Sequence, residues 1–113
     1  MSDCIFCKIA EGEIPSEIVY QDEKIVVFRD AAPQAPVHIL MIPRKHIASL
    51  DDLGDEDAEL VSYMMLKIKE VTASEGLANG YRVVINCGED GQQTVKHLHL
   101  HILGNRKMTW PPG

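Results

Sequence analysis

The sequence predicts an α+β fold: a five-stranded antiparallel sheet covered by one long helix, with a short N-terminal helix. Three observations carry this reading. Five short runs rich in branched side chains are separated by turn-forming residues. A single segment, residues 55–75, keeps helical periodicity. No strand–helix–strand alternation repeats, which argues against a doubly wound parallel sheet.

Taken in order, Phe6–Ala10 reads as a short helical turn. Glu17–Gln21 and Ile25–Asp30 read as strands, with Asp22-Glu23-Lys24 as the hairpin connection. Pro33 and Pro36, three residues apart, make Ala31–Pro36 an extended loop. A third strand runs from His38 to Ile42 and ends at Pro43. The long helix spans Asp55–Glu75, where Val61, Met64, Met65, Ile68 and Val71 recur on one apolar face and read as core. Asp55, Glu56, Asp57 and Glu59 load its first turns, where the helix dipole favours anions, and Gly76 stands where a glycine stops a helix. Two further strands, Tyr81–Cys87 and His97–Leu103, are joined by the polar loop Gly88–Lys96, with Cys87 read as a small buried hydrophobe.

The 113 residues suit one compact domain, 1–113, which buries roughly two-thirds of the surface its unfolded chain would expose. Hydrophobic content of 45% and charged content of 25% are ordinary for a globular chain. Eleven Lys and Arg against 17 Asp and Glu give a net charge of −6, the wrong sign for a partner such as nucleic acid or an anionic membrane. No apolar run exceeds four residues, so no bilayer-spanning helix is expected. The start Met1-Ser2-Asp3-Cys4 lacks the basic and apolar regions of an export signal. Together with an odd count of three cysteines, that points to a cytoplasmic protein without disulfides.

The anomaly is histidine: five in all, three of them within residues 97–101. Along a strand successive side chains point to opposite faces, so His97, His99 and His101 share one face and Leu98, Leu100 and Ile102 the other. Alternate residues stand about 7 Å apart, close enough for neighbouring imidazoles to contact one phosphate-sized group or separate ligands. With a pKa of about 6.5, roughly three-quarters of an imidazole is an unprotonated nucleophile at pH 7. The preceding loop, Gly88-Glu89-Asp90-Gly91-Gln92-Gln93-Thr94, supplies permissive backbone, amides and a hydroxyl suited to phosphate oxygens. The combination points to nucleophilic substitution at phosphorus.

His97-Leu98-His99-Leu100-His101-Ile102-Leu103 resembles the signature of the histidine triad superfamily, three histidines alternating with apolar residues. The resemblance extends to Asp30, Pro33-Gln34-Ala35-Pro36, His38, Ile42-Pro43, His46, Asn86, Gly88, Asp90-Gly91, Gln93 and Trp110-Pro111-Pro112-Gly113. The closing Trp-Pro-Pro-Gly is similar to the Hint branch, the purine nucleoside phosphoramidases. What the resemblance implies is a HIT-like fold and cleavage of purine nucleoside 5′-phosphoramidates to the nucleoside monophosphate and an amine. His99 is then the nucleophile that forms a nucleotidyl-histidine, its other ring nitrogen held by a backbone carbonyl. His101 and His38 contact phosphate oxygens or relay protons, and Thr94 replaces a common serine. Asn86 and Gln93 correspond to phosphate-side donors and Asp30 to the ribose acceptor. Phe6, Ile9, Phe28 and Leu40 correspond to the slot for the base, although Phe6 and Phe28 also read as plain core. No cofactor is required for that catalysis. Lys96, Gln92 and Asn105 depart from the pattern on the leaving-group side. The resemblance also implies a homodimer, with the long helix and Tyr81–Cys87 paired across it and Trp110 reaching the partner's site. Alternatives are a dinucleoside polyphosphate hydrolase, or a nucleotide- and zinc-binding module with little turnover.

Cys4 and Cys7 form a Cys-x-x-Cys pair. Two thiolates with two imidazoles make a tetrahedral zinc set, and the resemblance places the imidazoles at His46 and His97. A structural zinc is one reading; two buried thiols or a redox pair are the others, although the strand–helix context of a thioredoxin-like motif is missing.

Overall fold

A computed structural model describes residues 3–113; Met1 and Ser2, part of the stretch read above as lacking an export signal, lie outside the described residues. The elements are α1 (Ile5–Ala10), β1 (Ile18–Gln21), β2 (Ile25–Arg29), β3 (Val37–Pro43), α2 (Ala58–Ser74), β4 (Tyr81–Val84) and β5 (Leu100–Gly104). Two single 3-10 turns, Leu50–Asp52 and Asp55–Asp57, precede α2. The five strands form one sheet in the order β1-β2-β3-β5-β4, and every neighbouring pair is antiparallel. The expected α+β architecture is therefore present. No helix among the described residues is long and apolar enough to cross a membrane.

Alternation along the strands sorts the core into two layers. Ile25 and Val27, Ile39 and Met41, and Leu100 and Ile102 point to one side and pack with Met64, Ile68 and Val71 of α2. Val26 and Phe28, with Leu40 and Ile42, point to the other side and pack with Phe6 and Ala10 of α1. Because both faces are covered, every residue of β3 is buried, and its sequence is a nearly unbroken apolar run rather than a polar–apolar alternation. The sequence placed a helix on one face only; α1 proves to be the lid of the second.

Loops tie these layers together. The Asp22 carboxylate accepts from the backbone N–H groups of Lys24 and Ile25 and from the Tyr20 and Tyr63 hydroxyls, binding the β1–β2 turn to α2. Arg29 makes a two-point contact with Glu75 at 2.8 and 3.2 Å, pinning the end of α2 to β2. Arg44 donates to the Ala10 and Asp22 carbonyls at 2.6 and 2.7 Å and so holds the end of α1.

Several boundaries differ from the sequence reading. The strand expected at His97 begins at Leu100, because residues 95–97 bend, and the strand expected to reach Cys87 ends at Val84. Cys87 is half-buried rather than buried. The first turn of the expected helix is 3-10, with Asp57 holding the Gly54 N–H at 2.9 Å. Of the expected apolar face, Met64, Ile68 and Val71 are buried and Val61 half-buried, whereas Met65 is 45% exposed. Gly76 does end α2: its φ of +75° lets Leu77 N–H return to the Thr72 carbonyl at 3.0 Å.

Ile102 is fully buried at the centre of the α2-side layer. Ile102→Ala is expected to lower the unfolding free energy by about 2–5 kcal/mol, read from the urea midpoint at unchanged slope.

Candidate functional site

All five histidines belong to one continuous array on the α1 side of the sheet. Antiparallel register sets Leu40 of β3 opposite His101 of β5, which brings His38 diagonally beside His101. The His38 and His101 ring centres are 5.2 Å apart, and those of His101 and His99 5.1 Å. Phe6 stands edge-on to both His99, at 5.0 Å, and His97, at 6.0 Å. His97 in turn meets His46 at 4.9 Å.

Backbone partners assign the tautomers, since a neutral imidazole has one donor and one acceptor nitrogen. His97 donates from Nε2 to the Pro43 carbonyl at 2.8 Å, which leaves a lone pair on Nδ1. His99 donates from Nδ1 to the His97 carbonyl at 2.7 Å, which leaves a lone pair on Nε2. For His38 the order reverses: Nδ1 accepts from the Gln34 N–H at 3.0 Å, so the proton sits on Nε2. That proton faces His101 Nδ1 at 2.9 Å and Asp30 Oδ2 at 3.4 Å. His101 therefore accepts at Nδ1 and carries its own proton on Nε2.

Burial pushes the pKa values of His38, His97 and His101 below the usual imidazole value. At His38 the Asp30 carboxylate opposes that shift, whereas at His101 the neighbouring His99 and His38 add to it.

The bend at residues 95–97 turns His97 away from the other two and toward α1. Its Nδ1 lies 3.3 Å from Cys4 Sγ, 3.5 Å from Cys7 Sγ and 3.2 Å from His46 Nδ1, and Cys7 Sγ lies 3.3 Å from His46 Nδ1. All four ligand atoms fall within 4.8 Å of one another. A tetrahedron with zinc–sulfur bonds of about 2.3 Å and zinc–nitrogen bonds of about 2.0–2.1 Å has edges of about 3.3–3.8 Å. These distances fit that tetrahedron, and the Nδ1 lone pair of His97 points into it.

The other residues singled out in the sequence divide. Asp30 accepts from the Ala32 N–H at 2.8 Å and reaches His38. Phe6, Phe28 and Leu40 pack together with Ile9 beside His99, and the two phenylalanine rings meet at 5.5 Å. Gln93 braces the preceding loop: its amide donates to the Ala48 and Val95 carbonyls at 2.7 and 3.1 Å and accepts from the Gly88 N–H at 3.2 Å. Asn86 donates to the Gly91 carbonyl at 2.6 Å. Exposed Thr94 lines a cavity of about 510 Å³ with Cys4, His46 and Lys96, on the thiol side of the array. The resemblance implied a backbone carbonyl on His99, which is that of His97; sequence reasoning missed the Gln34 N–H and the Pro43 carbonyl, because main-chain groups leave no mark in residue identity.

Comparison with known proteins finds the same fold and family over nearly the whole chain. A family model described as scavenger mRNA decapping enzyme C-term binding matches residues 3–110. An uncharacterised HIT-like protein of Synechococcus elongatus is 53% identical over 98% of this chain and 97% of its own length. The crystal structure of a HIT family hydrolase from Legionella pneumophila superposes with a TM-score of 0.96 at 52% identity, covering 98% of this chain and 100% of that one. A histidine triad nucleotide-binding protein from Candida albicans superposes with a TM-score of 0.82 at 32% identity, covering 98% and 85%.

The depressed pKa values of His38 and His101 fix the sign of a pH effect. The folded chain binds fewer protons at these rings than the unfolded chain, so the stability they contribute is present above pH about 6.5 and is lost as pH falls below it. Urea midpoints measured in metal-free buffer are expected to fall between pH 7 and pH 5, and His101→Gln is expected to flatten that slope.

Proposed function

Since this chain belongs to the histidine triad (HIT) superfamily, we propose that it is a hydrolase that cleaves purine nucleoside 5′-phosphoramidates to the nucleoside monophosphate and an amine. The observation that carries the reading is the tether of His99: with Nδ1–H on the His97 carbonyl at 2.7 Å, its Nε2 lone pair is the nucleophile of the array. Two names support the coarser part. The Legionella relative is described as a HIT family hydrolase and the Candida relative as nucleotide-binding.

In the proposed reaction His99 Nε2 attacks the α-phosphorus, the new nitrogen–phosphorus bond forms, and the bond to the departing amine breaks. The departing nitrogen takes a proton from water while the Nε2–H of His101 hydrogen-bonds the phosphate. The hydroxide so formed attacks phosphorus and the bond to His99 breaks, which returns His99 to its neutral form. His38, donating to His101 Nδ1, keeps His101 in the tautomer that can act this way. Asp30 takes the ribose hydroxyls, Asn86 and Gln93 brace the loop on the phosphate side through backbone carbonyls, and Thr94 faces the cavity on the thiol side. Phe6, Ile9, Phe28 and Leu40 line the base slot, with the Phe6 edge against His99.

The Cys4, Cys7, His46 and His97 set would hold zinc, whose chemistry there is structural: it binds two thiolates and two neutral imidazoles and takes no part in the steps above. A second copy of the chain completes the proposal. The outer edge of β4 pairs with no other strand among the described residues, and Leu66 and Met65 of α2 are 60% and 45% exposed.

The decisive experiment compares kcat/KM for adenosine 5′-phosphoramidate and a diadenosine polyphosphate. The former is expected to be the better substrate, and His99→Ala is expected to lower its turnover by at least about 10³-fold. Activity surviving that substitution would sink the covalent route. A preference for the dinucleotide would favour the polyphosphate hydrolase. Absence of turnover in the wild type would leave a binding module. Metal analysis of protein purified without chelator is expected to give one zinc per chain, lost in Cys4→Ala.

A further inference from the structure

Two links join the thiol–imidazole cluster to the phosphate-side histidines. The first is His97 itself. Its ring offers Nδ1 to the cluster and anchors Nε2 on Pro43, while its own carbonyl takes the Nδ1 proton of His99. With the ring anchored at Nε2 on Pro43, a backbone shift at residue 97 that draws Nδ1 away from the cluster also moves the carbonyl that fixes the His99 tautomer. The second link is Phe6. It lies between Cys4 and Cys7 in sequence, and its ring packs against His99, His97 and Phe28 at 5.0, 6.0 and 5.5 Å.

The helix that carries Phe6 has little stability of its own. At six residues, α1 is well below the length at which an isolated helix forms in water. Its start depends on Cys4, whose sulfur accepts the Cys7 N–H at 3.3 Å. Its end depends on the Arg44 contact with Ala10. Whatever fixes the two sulfurs therefore fixes how α1, and Phe6 with it, docks on the sheet. His46 closes the cluster from the segment after β3, is exposed, and borders the cavity shared with Thr94, which gives an ion a way in.

We propose that the Cys4–Cys7–His46–His97 cluster is energetically coupled to the nucleotide site, so that zinc in the cluster tightens nucleotide binding through two positioning residues, His97 and Phe6. This inference rests on the readings of the cluster as a zinc site and of Phe6 as part of the base slot. A zinc that served only to hold the N-terminal segment together would leave the two affinities independent.

Coupling is reciprocal: if zinc tightens nucleotide binding by some factor, nucleotide tightens zinc binding by the same factor. The experiment measures zinc affinity by chelator competition with and without saturating adenosine monophosphate, and adenosine monophosphate affinity before and after zinc removal. The expected result is an equal gain in both, about tenfold, within the usual range of such couplings. At one fixed pH, long-range proton–nitrogen NMR spectra are expected to show His99 as a single Nδ1–H tautomer in the zinc-loaded protein and as a mixture after removal. Phe6→Leu is expected to keep zinc affinity without nucleotide and to shrink the mutual gain. Should removal of zinc unfold the chain, His46→Ala, which keeps both thiols and α1, serves as the uncoupled form, with weaker nucleotide binding expected.

Equal zinc affinity with and without nucleotide, together with an unchanged His99 tautomer after zinc removal, would overturn the coupling; so would failure to bind zinc. If the zinc-loaded wild type binds no adenosine monophosphate, the nucleotide reading fails instead. The His99 tautomer comparison then decides the coupling by itself.

Discussion

One residue, His97, holds the array together, because it serves two neighbours with different parts of itself. A buried neutral imidazole must satisfy one donor and one acceptor, and each assignment restricts the next. The Pro43 carbonyl takes the Nε2 proton of His97, so Nδ1 must accept. The His97 carbonyl takes the Nδ1 proton of His99, so His99 Nε2 must accept. The residue is fully buried, and burial favours its neutral form. With one ring nitrogen and the carbonyl both engaged, a backbone shift at His97 disturbs both contacts at once.

The sheet makes that arrangement possible by leaving β3 and β5 no freedom of register. Leu40 and His101 face each other only in the register in which Ile39 and Ile102 meet on the α2 side. A one-residue slip of β5 would move His101 into the α2 layer and Leu100 and Ile102 onto the α1 side. The cost of burying His101 under α2 away from its His38 partner guards the register together with the apolar packing. The same double coverage that makes β3 wholly buried therefore keeps His38, which opens the strand beside Val37, in line with His101.

Much of this was legible because it follows from periodicity. The alternation from His97 to Ile102 separated the imidazoles from the aliphatic row, and the helical spacing of Met64, Ile68 and Val71 found the buried stripe of α2. Gly76 was readable because few other residues take a φ of +75° without strain. The errors have a different origin. Period-2 logic carried a strand back to His97, but the backbone bends before it, where His97 N–H closes on the Val95 carbonyl at 2.9 Å. Met65 shares the helical spacing of the apolar face but lies at the edge of the stripe, and periodicity does not say where a helix's buried arc ends. Placement of α1 on the second face was invisible because six residues are too few to show a period.

Among the described residues two clusters have donor atoms spaced for a metal, and their tautomers separate them. Asp30, His38 and His101 bring a carboxylate and two imidazoles as close together as Cys4, Cys7, His46 and His97 bring theirs. Yet Gln34 donates to His38 Nδ1, so His38 Nε2, the atom facing the cluster, holds a proton. A metal at Nε2 would have to displace that proton while Nδ1 still accepted, leaving an imidazolate, or break the Gln34 contact in a strand that is otherwise buried. In the cysteine cluster the polarity is reversed: Pro43 draws the proton to the far nitrogen, and Nδ1 faces two sulfurs as a lone pair. One backbone N–H and one backbone carbonyl thus divide a row of chemically identical side chains. One part of the row can move protons, and the other can hold a cation.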